Sequence, residues 1–255
     1  MWRACLLLLF ASGCHIVFPI EPYDSGDDDG GLTGNAPKVF SSPGPAASLY
    51  GGYPKSYAIT LAADQPGTMI YYTTDGSEPS VDSTATMFAV TPIKGITIST
   101  TTTIKYFGVS GGTQSPTTTE TMSIDATTAQ INAGYLVTNV TLDGTSPVVI
   151  AAGGSILAAR ANVQTWVQNN CAACAAQVVY GIDQTDQGCL FDGGAGVYPG
   201  MTFNNKAFNV TVPSTPGVHE VKLAHIEQTS CAAAMAVGAL KTRPTLARIG
   251  VIIVR

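Results

Sequence analysis

The sequence predicts an all-β chain built from two β-sandwich domains, and three observations predict it. Only 11% of the residues are charged, against about 25% in average soluble chains. Thr, Ser, Gly, Asn and Ala are abundant and helix-forming Glu and Lys are scarce, a mixture that favours strands and turns with neutral polar surfaces. Apolar residues alternate over short segments broken by Pro and Gly and do not recur at helical spacing. The 255 residues, less a leader, exceed one small sandwich and suit two domains of ordinary size.

Residues 1–13 predict an export signal. Arg3 precedes a short apolar run that ends in small residues and a cysteine, and the run is about half of the roughly 20 residues needed to cross a bilayer. The ending Ala11-Ser12-Gly13-Cys14 resembles the lipobox of bacterial lipoproteins. That resemblance implies cleavage before Cys14 and lipid on the new N-terminal cysteine, anchoring the chain to a membrane outside the cytoplasm. Ala11 stands where Leu is usual, which leaves a plain secretory signal as the alternative. His15 occupies the place where inner-membrane retention signals put Asp, which by analogy favours the outer membrane or the cell surface. Residues 14–37 then read as a flexible tether, with Glu21, Asp24, Asp27, Asp28 and Asp29 in one stretch and few large apolar residues after Ile20. Such a segment buries too little surface to offset its ordering entropy. A calcium loop is the sharper alternative, but the closing Glu of an EF-hand is missing. From Gly30 onward 11 basic face 12 acidic residues, so the remainder is nearly neutral. No Lys/Arg cluster exists to neutralise phosphates, which excludes nucleic acid as a partner.

The first domain is expected over residues 38–125. Tyr57, Ile59 and Leu61 alternate with Ala58 and Thr60, and Ile104 and Tyr106 alternate with Lys105 and Phe107, as strands of an antiparallel sandwich do. Between them Ile70-Tyr-Tyr-Thr-Thr-Asp-Gly-Ser-Glu-Pro79 reads as a strand entering an Asp-Gly turn that a proline stops. This run, with Thr102-Thr-Ile-Lys-Tyr106 and the later Ser115, resembles the chitobiase/β-hexosaminidase C-terminal-type domain. The resemblance implies an immunoglobulin-like β-sandwich of the kind that accompanies carbohydrate-active enzymes and occurs in bacterial surface proteins. It implies no catalytic residues. Asp75 and Glu78 could pose as a glycosidase pair, but Asp75 is explained by accepting hydrogen bonds from the turn backbone. Tyr50, Tyr53 and Tyr57 form a weaker candidate platform, with the edge of the sandwich core as the alternative.

Residues 126–255 are expected to form a second, cysteine-containing sandwich or jelly roll. Candidate strands are Tyr135–Leu142, Pro147–Ala151, Ser155–Val167, Gln177–Asp183, Ala207–Val212, Gly217–Ile226 and Arg248–Val254, punctuated by turns at Asp143-Gly144, Gly153-Gly154 and Pro213–Gly217. The Ala-rich run within Ser230–Lys241 predicts a short helix. Cys171, Cys174, Cys189 and Cys231 would suggest zinc or redox chemistry in a reducing compartment. In an exported chain they predict two disulfides, with three connectivities open. The pairing preferred here joins Cys171 and Cys174 each to Cys189 or Cys231. His219 and His225, six residues apart on one strand, lie about 20 Å from each other and cannot share a metal ion; they read as isolated strand residues. Asp183, Asp186 and Asp192 read as a shared turn or a weak calcium site. No catalytic residue, metal or cofactor is assigned.

The candidate ligand-binding residues lie in Ser155–Val167. Leu157, Ala159, Ala161, Val163 and Val167 share one parity, and Arg160, Asn162, Gln164 and Trp166 the other, so the second set predicts a solvated face. A flat aromatic beside amide and guanidinium donors is the combination that holds sugars. The alternative is a Trp166 folded over the Cys171–Cys174 loop as packing. The expected role is therefore non-catalytic: a lipid-anchored surface or periplasmic protein acting in binding or adhesion, with glycan or cell-wall polysaccharide as first ligand class. A structural or assembly module contacting other proteins is the alternative, and an accessory part of a carbohydrate-active system a second.

Overall fold

Among the described residues, the first strands form a small sandwich that follows the alternation in the sequence. In the computed structural model of the chain the described residues are 36–45, 53, 55–124, 133–167, 176–193, 198–242 and 247–255, with the backbone alone for 133, 134, 165–167 and 198–201. Strands β1 (Val39–Ser42), β2 (Tyr57–Ala63) and β5 (Ile93–Ile98) make one sheet in the order β1-β2-β5. Strands β3 (Met69–Thr73), β4 (Met87–Val90), β6 (Thr102–Ser110) and β7 (Thr113–Gln114) make the facing sheet in the order β4-β3-β6-β7, and β8 (Thr118–Met122) also pairs with β6. All these pairs are antiparallel. Tyr57, Ile59 and Leu61 of β2 meet Ile70, Ile98, Ile104, Tyr106 and Met122 in the core. At the Asp75 turn the carboxylate accepts the Ser77 hydroxyl at 2.6 Å and the Ser77 N–H at 3.0 Å. Those two bonds hold the Asp75 carboxyl below the usual carboxylate range. Gly76 follows at φ 80°, a conformation that favours glycine. Glu78 pairs with Lys105. Both acids therefore serve the turn and its neighbour strand.

The second sandwich is larger. Strands β9 (Ala133–Thr141), β11 (Ile156–Val167) and β14 (Tyr198–Thr211) form one sheet in the order β14-β11-β9. Strands β10 (Val148–Ala151), β12 (Ala176–Ile182), β13 (Thr185–Asp192), β15 (Gly217–Glu227) and β16 (Ala247–Val254) form the other in the order β10-β16-β15-β12-β13. The β10–β16 pair is parallel. Val137, Ala159, Ala161, Val163, Val178, Val210, Leu223 and Ile252 fill the space between the sheets. Gln187 of β13 closes one side: its amide donates to Thr211 O and accepts from Thr211 N–H, both at 2.8 Å.

Two short helices, α1 (Cys231–Ala236) and α2 (Ala239–Thr242), cover the outer face of the five-stranded sheet. Ser230 caps α1 by accepting the Ala233 N–H at 3.2 Å. Ala234, Ala239 and Leu240 bury Val179, Ala224 and Ile226. Cys189 of β13 is bonded to Cys231, with 6.0 Å between their Cα atoms, so α1 is fastened to the sheet beneath it. This corrects the expected pairing of Cys189 and Cys231 with Cys171 and Cys174. The reason is tertiary: Asp192 accepts the Cys231 N–H at 3.1 Å, seating the helix start over β13. Cys171 and Cys174, like Cys14 and the tether, lie outside the described residues.

Asn35–Arg255 form one compact unit, and its two sandwiches meet through a buried polar cluster set in apolar contacts. Arg248 on β16 donates to Glu120 of β8 at 2.6 Å and to Ser41 of β1 at 3.1 Å, and lies 3.4 Å from Glu220 of β15. Burial alone would lower the Arg248 pKa, but the carboxylates of Glu120 and Glu220 outweigh it and hold the guanidinium charged. Ser42 donates to Ile249 O at 2.5 Å, and Gly44 N–H to Arg248 O at 2.8 Å. Ala62 packs with Val148, Val251 and Ile253, with Phe40 alongside. Leu136 of β9 enters the core of the first sandwich. Removing one member of a buried pair leaves the other charge uncompensated. Arg248→Ala is expected to lower the unfolding free energy by about 3–5 kcal/mol, read from urea denaturation; a loss below about 1 kcal/mol, the value of an exposed pair, would refute the buried clamp.

Candidate binding site

Strand β11 is the middle strand of its sheet, and its two faces differ sharply. Ala159, Ala161 and Val163 are buried, whereas Ala158 and Arg160 are exposed and Asn162 and Gln164 half-buried. Arg160 stands between Thr141 of β9 and Ala207 of β14, and Gln164 between Leu136 and Thr202. The backbone of Trp166 pairs with Gly134; its side chain lies outside the described residues.

Between Arg160 and Val163 both neighbouring strands carry one extra residue. From Ala161/Lys206 to Val163/Phe203 strand β14 uses one more residue than β11, and from Arg160/Thr141 to Asn162/Thr138 strand β9 does the same. Two β-bulges therefore flank Asn162, one on each side. The chain accommodates them with asparagine: Asn139 adopts φ 52° and Asn205 φ 55°, a left-handed conformation that Asn tolerates and β-branched residues resist. Because the extra residues sit on the flanking strands, β11 keeps its alternation unbroken. Asn162 Oδ1 accepts the Asn205 N–H at 2.9 Å, which fixes the orientation of its amide. Bulges of this kind re-aim side chains, and here the β14 bulge brings Asn205 against Asn162, while Thr138 of β9 stands opposite Asn162.

Leu136 lies opposite Gln164 and so belongs to the same outward face, yet it is buried in the core of the first sandwich. The first sandwich thus covers the β9 margin of this face, while the β11 and β14 rows remain accessible at Arg160, Thr202, Asn204, Ala207 and Asn209. The result is a corner lined by amides and hydroxyls, with Arg160 as its charge. Amides offer paired donors and acceptors that suit neutral polyhydroxyl ligands.

The other candidate groups take structural positions. Tyr53 and Tyr57 are buried in the first core with their rings 4.3 Å apart, so they form no external platform; Tyr50 lies outside the described residues. His219 is not isolated. Its Nδ1 lies 2.8 Å from Asp183 Oδ2 and its Nε2 2.9 Å from Thr215 O, tying two turns together. Asp186 accepts the N–H groups of Ala239 and Leu240 at 2.7 and 2.9 Å, and Asp192 accepts that of Cys231. The three acids thus anchor three different segments and share no turn. Among the described residues no three of His, Cys, Asp and Glu are grouped as a metal site. Sequence reasoning missed Asn139 and Asn205; for Asn139 a single asparagine amid strand residues was the available signal.

Residues 59–122, from β2 to β8, match the family model described as Fn3 associated, in agreement with the immunoglobulin-like sandwich of that region. No curated protein matches the chain. A crystal structure of a glycosyl hydrolase family 2 member from Bacteroides cellulosilyticus is similar at 13% identity and TM-score 0.20, covering 76% of this chain and 29% of that one. The chain therefore spans less than a third of that hydrolase structure. A segment of two fibronectin type-III domains from chicken tenascin is similar at 13% identity and TM-score 0.20, covering 72% of this chain and 95% of that one.

Replacing Asn205 by Val forces a β-branched residue into the left-handed region. Asn205→Val is expected to cost about 1–3 kcal/mol in chemical denaturation and Asn205→Gly to be close to neutral; equal effects of the two would remove the conformational argument.

Proposed function

We propose that the chain is a non-catalytic binding or adhesion module that works outside the cytoplasm, anchored by lipid on Cys14 and separated from the membrane by the acidic stretch before the first sandwich. Its ligand is a neutral glycan, cell-wall polysaccharide first among the candidates. The observation that carries this reading is the corner built on Asn162, where the β14 bulge brings Asn205 against it, Thr138 stands opposite on β9, and the first sandwich closes one side. Binding sites favour concave places between packed units, with few fixed polar groups to set orientation. The nearly neutral charge balance beyond Gly30 fits an uncharged ligand. The resemblance of Ile70–Pro79 to the chitobiase C-terminal type adds weight to carbohydrate, and also supports an accessory part in a carbohydrate-active system. Trp166, which the sequence alternation assigns to the same face as Gln164, is the residue proposed to supply the stacking surface. A second reading, an assembly module that contacts other proteins, draws on the exposed apolar strand Met87–Val90.

Glycan-array binding separates these readings. The wild-type chain is expected to bind neutral polysaccharide, and both Trp166→Ala and the double variant Asn162→Ala/Gln164→Ala to lose at least about tenfold in affinity, roughly 1.4 kcal/mol. Binding that survives both changes, or no glycan bound at all, sinks the proposal.

A further inference from the structure

The outer face of the first sandwich carries a row of aromatic rings that runs across three strands and stops at an open edge. Phe107 of β6 stacks on Tyr71 of β3 with centroids 5.1 Å apart and planes 11° apart, and Tyr71 stacks on Phe88 of β4 at 5.5 Å. Phe107 is buried, whereas Phe88 is 61% exposed. Among the described residues no strand lies beyond Phe88, and β4 pairs with β3 alone. Such a row presents ring edges outward and one ring face at its end. It is poorly shaped as a flat platform for a sugar and well shaped for one more ring laid against Phe88.

The backbone of β4 is equally unfinished. Thr91 N–H donates to Thr68 O at 2.9 Å, and the register with β3 continues through Val90/Met69, Ala89/Ile70, Phe88/Tyr71 and Met87/Tyr72 without a shift. In an antiparallel pair the bonded positions alternate, so Ala89 and Met87 turn their N–H and C=O groups toward β3. Phe88 and Val90 turn theirs outward. Edge strands are ordinarily protected by charge, proline or a bulge. β4 has none of these: Met87 is 42%, Phe88 61% and Val90 52% exposed, and no charged residue lies between Asp82 and Lys94.

We propose that β4 is a self-association edge, on which a second copy of this chain places its own β4 antiparallel about a two-fold axis at Phe88. The two Phe88 residues then exchange N–H to C=O hydrogen bonds, and the aromatic row continues through six rings. Charge favours this arrangement over parallel addition. Asp82, before the strand, and Lys94, after it, are both exposed, and the two-fold sets the Asp82 end of one copy beside the Lys94 end of the other. The contact is isologous, so it closes as a dimer. A strand of four residues makes a small contact, and the association is weak and concentration-dependent. None of the β11 residues takes part, so this proposal stands or falls apart from the glycan reading.

Sedimentation velocity of the full chain over a concentration series tests it, with three samples: wild type, Phe88→Glu and Phe88→Lys. Position 88 is exposed, and circular dichroism checks that both variants keep the fold. The wild type is expected to shift toward dimer with rising concentration, each variant alone to associate at least about tenfold more weakly, and an equimolar mixture of the two variants to regain association. A wild type that stays monomeric, variants that associate as it does, or a mixture no stronger than either variant overturns the proposal.

Discussion

Arg248 sits where four strands from two sandwiches converge. Its guanidinium reaches Glu120 and Ser41 of the first sandwich from a strand of the second, with Glu220 of its own sheet alongside. A cation with 17% side-chain exposure needs such partners, because burial without them costs several kcal/mol. Around it the contact is apolar: Phe40 lies 5.8 Å beneath the guanidinium, and Ala62 packs with Val251 and Ile253. The charged cluster selects one way of docking the sandwiches, and the apolar contacts supply area. With the docking set, Leu136 of β9 is held inside the first core, and the β11 face acquires a wall on one side. The corner that carries the functional proposal is thus a consequence of a junction formed by residues distant from it in sequence.

The corner also depends on a local device. A flat three-stranded sheet would present Arg160, Asn162 and Gln164 in a plain row. Bulges on both neighbours increase the local twist, and the one on β14 brings Asn205 against Asn162. The left-handed backbone of Asn139 and Asn205 costs free energy of about 1–3 kcal/mol at an ordinary residue, and asparagine reduces that cost because its short side chain bonds locally. At Asn205 the backbone N–H also has a partner, Asn162 Oδ1.

Much of this was legible in the sequence, and the reasons differ by element. The alternation of β2 and β11 exposed their buried faces, because period-two patterning survives wherever a strand has one dry side. The Asp75-Gly76 turn was readable because its chemistry is local. β13 escaped notice: Thr185-Asp-Gln-Gly mimics a turn, and its acids serve long-range tasks, Asp186 holding the start of α2. The first half of β14 escaped for a related reason, since Asn204-Asn205 reads as a loop and is a bulge inside a continuous strand. Cysteine pairing could not be ordered from spacing, because the position of α1 over β13 is a tertiary fact. The same holds for Tyr53 and Tyr57, whose alternation fits a core or a surface equally until a sheet packs on them.

The two sandwiches are one body joined through Arg248, and their fixed relation creates the corner at Asn162. Amide residual dipolar couplings of the full chain in a weakly aligning medium test it most directly. Alignment tensors fitted separately to strands β2–β8 and to strands β10–β16 should coincide in orientation and magnitude. Tensors that differ in either respect would mean the sandwiches reorient independently, and the corner would not exist as a persistent site.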